Sequence, residues 1–152
     1  MSLCFSKGLG APVGSIVAGP RPFITRAHRF RKMFGGAMRQ AGILAAAALY
    51  ALDHHVARLA EDHGNARRLA TALAEMPGIV LDPRHVETNI VIFEVDQRYG
   101  TPAEFAARLR ERGVWMLAAG PPRQMRAVTH LDVNRDQIEE AIRVLHDVTA
   151  AC

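Results

Sequence analysis

Apolar and polar positions follow two different rhythms along this chain. Up to about residue 76 the spacing is mostly helical. Phe23, Ala27, Phe30 and Phe34 fall on one face of a helix predicted over Pro22–Phe34. Gly35-Gly36 breaks it, and a second helix is predicted from Met38 to Leu52. Its run "AGILAAAALYAL" (41–52) is apolar on nearly every side, which predicts burial in a core or in a subunit contact. A third helix is predicted over His54–Met76, with Val56, Leu59, Ala60, Ala66, Leu69, Ala70 and Leu73 as its stripe; Pro77-Gly78 stops it.

After Pro77-Gly78 short branched runs alternate with helices. "IVL" (79–81) and "NIVIFEV" (89–95) read as strands, as do "VWML" (114–117) and "MRAVTH" (125–130). Thr101, Pro102 and Glu104 carry a full set of helix-start signals, and Gly113 suits the end of that helix. Asn134 and Gln137 form a second capping box ahead of a closing helix with Ile138, Ala141, Ile142 and Leu145 at core spacing. Before residue 23, Ser2–Phe5 and Ser15–Ala18 read as two short strands joined by a dense glycine-proline turn. The expected class is α/β (α+β) in two parts. Residues 1–53 have too few strands to close a sheet, and residues 54–152 look like a compact α/β unit.

Charge sharpens that division. Residues 1–52 carry seven basic side chains and no acid, whereas residues 53–152 carry 12 basic and 15 acidic ones. No helix-turn-helix, zinc or RNA-binding signature accompanies the basic segment, so nucleic acid is not the expected partner. A solvated helix face, a cluster neutralised by a partner segment, a phosphate-bearing cofactor or an acidic subunit surface each accounts for the charge. The apolar run is shorter than the roughly 20 residues that span a bilayer, and no membrane association is expected. Cys4 and Cys152 stand at opposite ends, outside any CxxC pattern. They suggest a reduced, cytoplasmic protein. The adjacent His54-His55 pair would splay on a helix, and no metal site is expected.

Of 19 basic residues, 17 are arginine and only Lys7 and Lys32 are lysine. An amine can condense with an aldehyde; a guanidinium cannot, because it never sheds its proton usefully. Lys7 sits in "SKGLGAPVGS", on a turn whose Gly8 and Gly10 would let a planar ligand approach the backbone. That placement makes it the leading candidate for covalent chemistry.

The blocks "SKGLGAPVGS", "RKMFGGAMRQAGILAAAALYAL", "RLAEDHGNARRLA" and "RAVTHLDVNRDQIEEAI" together resemble low-specificity threonine aldolases over essentially the whole chain. The resemblance implies the aspartate-aminotransferase (type I) fold and pyridoxal 5'-phosphate (PLP) as cofactor. It implies an aldehyde-lyase that cleaves L-threonine or L-allo-threonine to glycine and acetaldehyde in a homo-oligomer, a dimer or tetramer. By the same resemblance, residues 1–53 would be the end of the large domain with interface helices, and 54–152 the small domain. Lys7 matches the lysine that forms the Schiff base. Lys32 and Arg39 match cations that approach the cofactor phosphate from a neighbouring subunit, and Arg126 matches the arginine that grips the substrate carboxylate.

The family's ring-stacking histidine, its aspartate facing the pyridine nitrogen and its glycine-rich phosphate loop lie upstream of the lysine. Only six residues precede Lys7 here, so the chain is expected to be a C-terminal portion, inactive alone. Ala37 stands where the family tends to continue the Gly35-Gly36 run with glycine. The alternatives are a non-catalytic assembly module left by truncation or gene splitting, and another type I lyase of the β-eliminating kind.

Overall fold

A computed structural model describes residues 1–150, so Cys152 lies outside the described residues. The chain divides into two compact units, the first running from Met1 to Leu59 and the second starting at Ala60.

In the first unit, β1 (Ser2–Cys4) pairs antiparallel with β2 (Ser15–Val17), with Leu3 opposite Ile16. Two helices follow, α1 (Arg21–Met33) and α2 (Gly42–His54). α1 opens with Pro22 in its first turn, where a missing N–H costs nothing, and Arg31 and Lys32 oppose the dipole at its last turn. It has no buried residue at all. Phe30 and Phe34 stack on each other, ring centroids 6.1 Å apart, on a face turned away from the unit's core. In α2 only Ala51 is fully buried, and Ile43, Leu49, Tyr50 and Leu52 are exposed. The small core of this unit consists of Phe5, Leu9, Ala11 and Ala51, flanked by Ala48 and Leu59.

The second unit is built on a four-stranded antiparallel sheet in the order β3-β4-β6-β5: β3 (Ile79–Val80), β4 (Ile90–Val95), β5 (Leu117–Ala118) and β6 (Gln124–Val128). Strict alternation splits β4 into Val91, Phe93 and Val95, which are buried, and Ile90, Ile92 and Glu94, which are exposed. Three helices, α3 (Leu59–Ala74), α4 (Pro102–Glu111) and α5 (Arg135–Ala150), supply the rest of the core. Leu69, Leu73, Phe105, Leu109, Ile138 and Leu145 meet the buried strand residues Phe93 and Met125 there. Each such side chain contributes about 1.5–3 kcal/mol by leaving water. Both predicted capping boxes form. Glu104 N–H donates to Thr101 Oγ1 while Thr101 N–H donates to Glu104 Oε2, and Asn134 and Gln137 exchange the equivalent pair. Arg123 clamps the segment after β4, donating to the carbonyls of Val95 (2.6 Å), Asp96 (2.7 Å) and Gly100. Trp115 stands 72% exposed beside β5, with the Arg110 guanidinium 3.8 Å from its ring centroid.

Several boundaries differ from expectation. The second helix starts at Gly42 instead of Met38, because Gln40 adopts a left-handed φ of 51° that cannot continue a helix. α2 gives the core of its own unit only Ala51, with Ala48 beside it, and is otherwise not buried there. The third helix starts at Leu59 after a turn in which Leu59 N–H bonds the Val56 carbonyl, so Val56 is exposed and is not a core residue. Of "VWML" only Leu117 is in a strand, because β6 offers partners to Leu117 and Ala118 alone.

Candidate functional site

Lys7 lies in the loop between β1 and β2. Phe5 N–H donates to the Gly14 carbonyl and Ala11 N–H to the Phe5 carbonyl, both at 3.0 Å, while Gly10 N–H closes a turn on the Lys7 carbonyl at 2.8 Å. Phe5, Leu9 and Ala11 point inward and are buried; Ser6 and Lys7 point outward and are exposed. The turn is therefore anchored on both sides of the lysine by apolar burial, and the lysine is left in solvent. Two glycines make this geometry attainable. Gly10 has φ of 69°, and a Cβ on Gly8 would stand 3.0 Å from Leu59 Cδ2. One further tie reaches the loop from α2: His55 Nδ1 lies 2.6 Å from the Leu9 carbonyl.

Lys32 occupies the last turn of α1, and Arg39 the segment between α1 and α2; both are exposed. Lys7, Lys32 and Arg39 thus stand on three different elements of the first unit. Among the described residues, no hydrogen bond or ion pair engages their side chains. Free cations of this kind suit an aldehyde (Lys7) or a phosphate (Lys32 and Arg39).

Arg126 belongs to the second unit and is half-buried at the middle of β6. Its register partners are Ile92 on β4 and Leu117 on β5, so its side chain rises from the open sheet face between two exposed apolar residues. It too has no hydrogen-bond or ion-pair partner among the described residues. A guanidinium on an apolar-flanked, solvent-open face suits a carboxylate attached to a small organic group.

The shifted ionisations lie elsewhere and have local causes. A side-chain hydrogen bond from Arg84 leads in lowering Asp82 to about 2. The Arg98 backbone N–H does most to lower Asp96, the Thr101 N–H most to lower Glu104, and the Arg68 side chain most to lower Glu139. These are helix caps and ion pairs. Of the residues tied to the loop, His55 has no signature in sequence, since its partner is a backbone oxygen 46 positions away.

Residues 1–98 match the family model described as Beta-eliminating lyase. The chain is 46% identical over 139 residues to the low specificity L-threonine aldolase of Escherichia coli (strain K12), covering 91% of this chain and 39% of that protein. It is 39% identical to low-specificity L-threonine aldolase 1 of Arabidopsis thaliana, covering 91% of this chain and 38% of that one. It therefore spans about two fifths of the length of these relatives. Sphingomonas wittichii serine palmitoyltransferase superposes with a TM-score of 0.77 at 22% identity, over 99% of this chain and 39% of that one. SPT solved with its PLP internal aldimine superposes with a TM-score of 0.76 at 21% identity, over 99% of this chain and 39% of that one. These likenesses show the fold shared with type I enzymes.

Proposed function

Because the chain belongs to the beta-eliminating lyase family, we propose that it is the C-terminal portion of a PLP-dependent threonine aldolase. Residues 1–53 would be the end of the large domain and 54–152 the small domain. The observation that carries the reading is Lys7. It is an exposed, unpaired amine on a rigid glycine turn, in a chain 46% identical to an L-threonine aldolase. The residues fit the cofactor. Lys7 would bond its aldehyde carbon, and Lys32 and Arg39 would meet its phosphate across a subunit contact. When bound, PLP supplies the electron sink for a carbanion at the substrate Cα. Arg126 holds the substrate carboxylate in its guanidinium fork and so orients the Cα–Cβ bond for cleavage to glycine and acetaldehyde. The Lys7 amine would also be the group that holds or moves a proton near that carbon.

The homo-oligomer belongs to the same reading. It is supported by α1, which buries nothing in its own unit, and by the outward Ile43, Leu49 and Tyr50 of α2. A cytoplasmic location is supported by the free thiol of Cys4. No described helix is long and apolar enough to cross a membrane.

Incubation with PLP, reduction with borohydride and mass mapping test the proposal. The 152-residue chain alone should label Lys7 weakly and release no acetaldehyde. Adding a fragment that supplies the rest of a relative's length should raise both together. Labelling spread over other amines, with Lys7 spared, would overturn the assignment. Stoichiometric labelling and aldol cleavage by the chain alone would overturn the incomplete-site reading. An oxo acid and ammonia in place of glycine and acetaldehyde would mark a β-eliminating enzyme instead. No activity with any fragment would favour an assembly module, for which the unburied faces of α1 and α2 speak.

A further inference from the structure

We propose that His55 is a positioning residue for Lys7, acting through the carbonyl of Leu9; this rests on the reading of Lys7 as the cofactor lysine. His55 caps α2, its own N–H bonded to the Ala51 carbonyl at 2.9 Å, so the helix end fixes where the ring stands. The ring is half-buried, with the edge of Tyr50 at 5.6 Å between centroids, and its Nδ1 lies 2.6 Å from the Leu9 oxygen.

A carbonyl only accepts, so Nδ1 carries the hydrogen and the neutral ring is the Nδ1–H tautomer. Leu9 is the third residue of the turn that Gly10 N–H closes on the Lys7 carbonyl, so the bond from His55 grips the turn two residues from the reactive amine. Apolar anchoring by Phe5, Leu9 and Ala11 sets the depth of the loop. Burial is non-directional, however, and leaves the turn free to rock. A short, directional bond from a helix end removes that freedom. His55 is thus the element that fixes the backbone from which the Lys7 side chain springs.

The full chain in three variants tests this. His55→Phe keeps a ring and removes the donor. His55→Asn places an amide N–H close to where Nδ1 stands, and His55→Gln places one about where Nε2 stands. In the wild type, nitrogen-15 spectra of the histidines at alkaline pH should show an Nδ1–H tautomer that disappears in His55→Phe. Amide hydrogen exchange at Gly10 should quicken about five-fold in His55→Phe and His55→Gln, the scale of one lost hydrogen bond, and return to normal in His55→Asn. The rate of borohydride-trapped PLP addition at Lys7 should fall by a similar factor in the same two variants, with trapping at Lys32 unchanged.

Wild-type trapping and exchange in His55→Phe overturn the proposal. So does an Asn variant that behaves like the Phe variant, or an Nε2–H tautomer in the wild type. If His55→Phe does not fold, the contrast between His55→Asn and His55→Gln decides alone. If the wild type adds no PLP at Lys7, the proposed function fails, while exchange at Gly10 still decides whether His55 holds the turn.

Discussion

Gly78→Ala should destabilise the second unit by about 3 kcal/mol. Met76, Pro77, Gly78 and Ile79 form a turn closed by Ile79 N–H on the Met76 carbonyl, with proline at the second position and Gly78 at the third. Gly78 has φ of 75°, which a type II turn demands and which costs an alanine about 1–2 kcal/mol. Space is short as well. A Cβ there would stand 2.8 Å from Tyr99 Cε2 and 3.0 Å from Asp96 Cβ. Tyr99 has no solvent exposure and its hydroxyl donates to the Pro77 carbonyl, so the ring cannot swing aside. Overpacking of this kind adds about 1–3 kcal/mol. At about 4–8 °C per kcal/mol for a unit of this size, Tm should drop by roughly 12–24 °C, read by far-UV circular dichroism and calorimetry. Gly64→Ala is the control. Gly64 lies inside α3 with nothing within 4 Å of a new Cβ, so the same substitution should stabilise by about 0.5–1 kcal/mol. A Gly78→Ala loss under about 1 kcal/mol, or the same sign at both sites, would refute the reasoning.

Glu139 accepts from Arg68 at 2.8 and 2.7 Å and faces Arg135 at 3.2 Å, which holds its carboxyl below the usual range when folded. Its stabilisation is present above the unfolded pKa and is lost as pH falls through the folded one. Glu139→Gln should therefore be less stable than wild type at pH 7, with the gap closing below about pH 4 in chemical melts. Thr101→Ala should cost about 1 kcal/mol in the same melts by removing the α4 cap. In the enzyme reassembled from fragments, Arg126→Lys should raise KM for threonine by about 100-fold, since an ammonium cannot grip a carboxylate bidentately. Equal losses with an amine substrate that lacks the carboxylate would remove Arg126 from substrate binding.

Structure was legible where its cause is local. The Thr101–Glu104 and Asn134–Gln137 boxes, the Pro77-Gly78 stop and the strand over Ile90–Val95 each involve groups a few residues apart, and all form as expected. What depends on a distant partner was not legible. The apolar faces of α1 and α2 say that something covers them without saying what, and Val114–Met116 have strand chemistry but no strand to pair with. The candidate site follows the same rule. Lys7 stands out by residue type and by its glycines, whereas His55 becomes visible only when the chain brings it to the Leu9 carbonyl. Lys32, Arg39 and Arg126 took their roles from family likeness, and spacing alone would have left them as surface cations.

Trp115 is the sole tryptophan of the chain and belongs to the second unit, under the Arg110 guanidinium. Its emission is accordingly an optical tag on one half of the molecule. A melt followed at its wavelength reports the loosening of the α4–β5 corner, and the first unit can unravel without contributing a signal of its own. The tyrosines share out differently, Tyr50 in the first unit and Tyr99 in the core of the second. Tyrosine absorbance therefore sums both units, and a transition that it shows and tryptophan emission lacks belongs to the first.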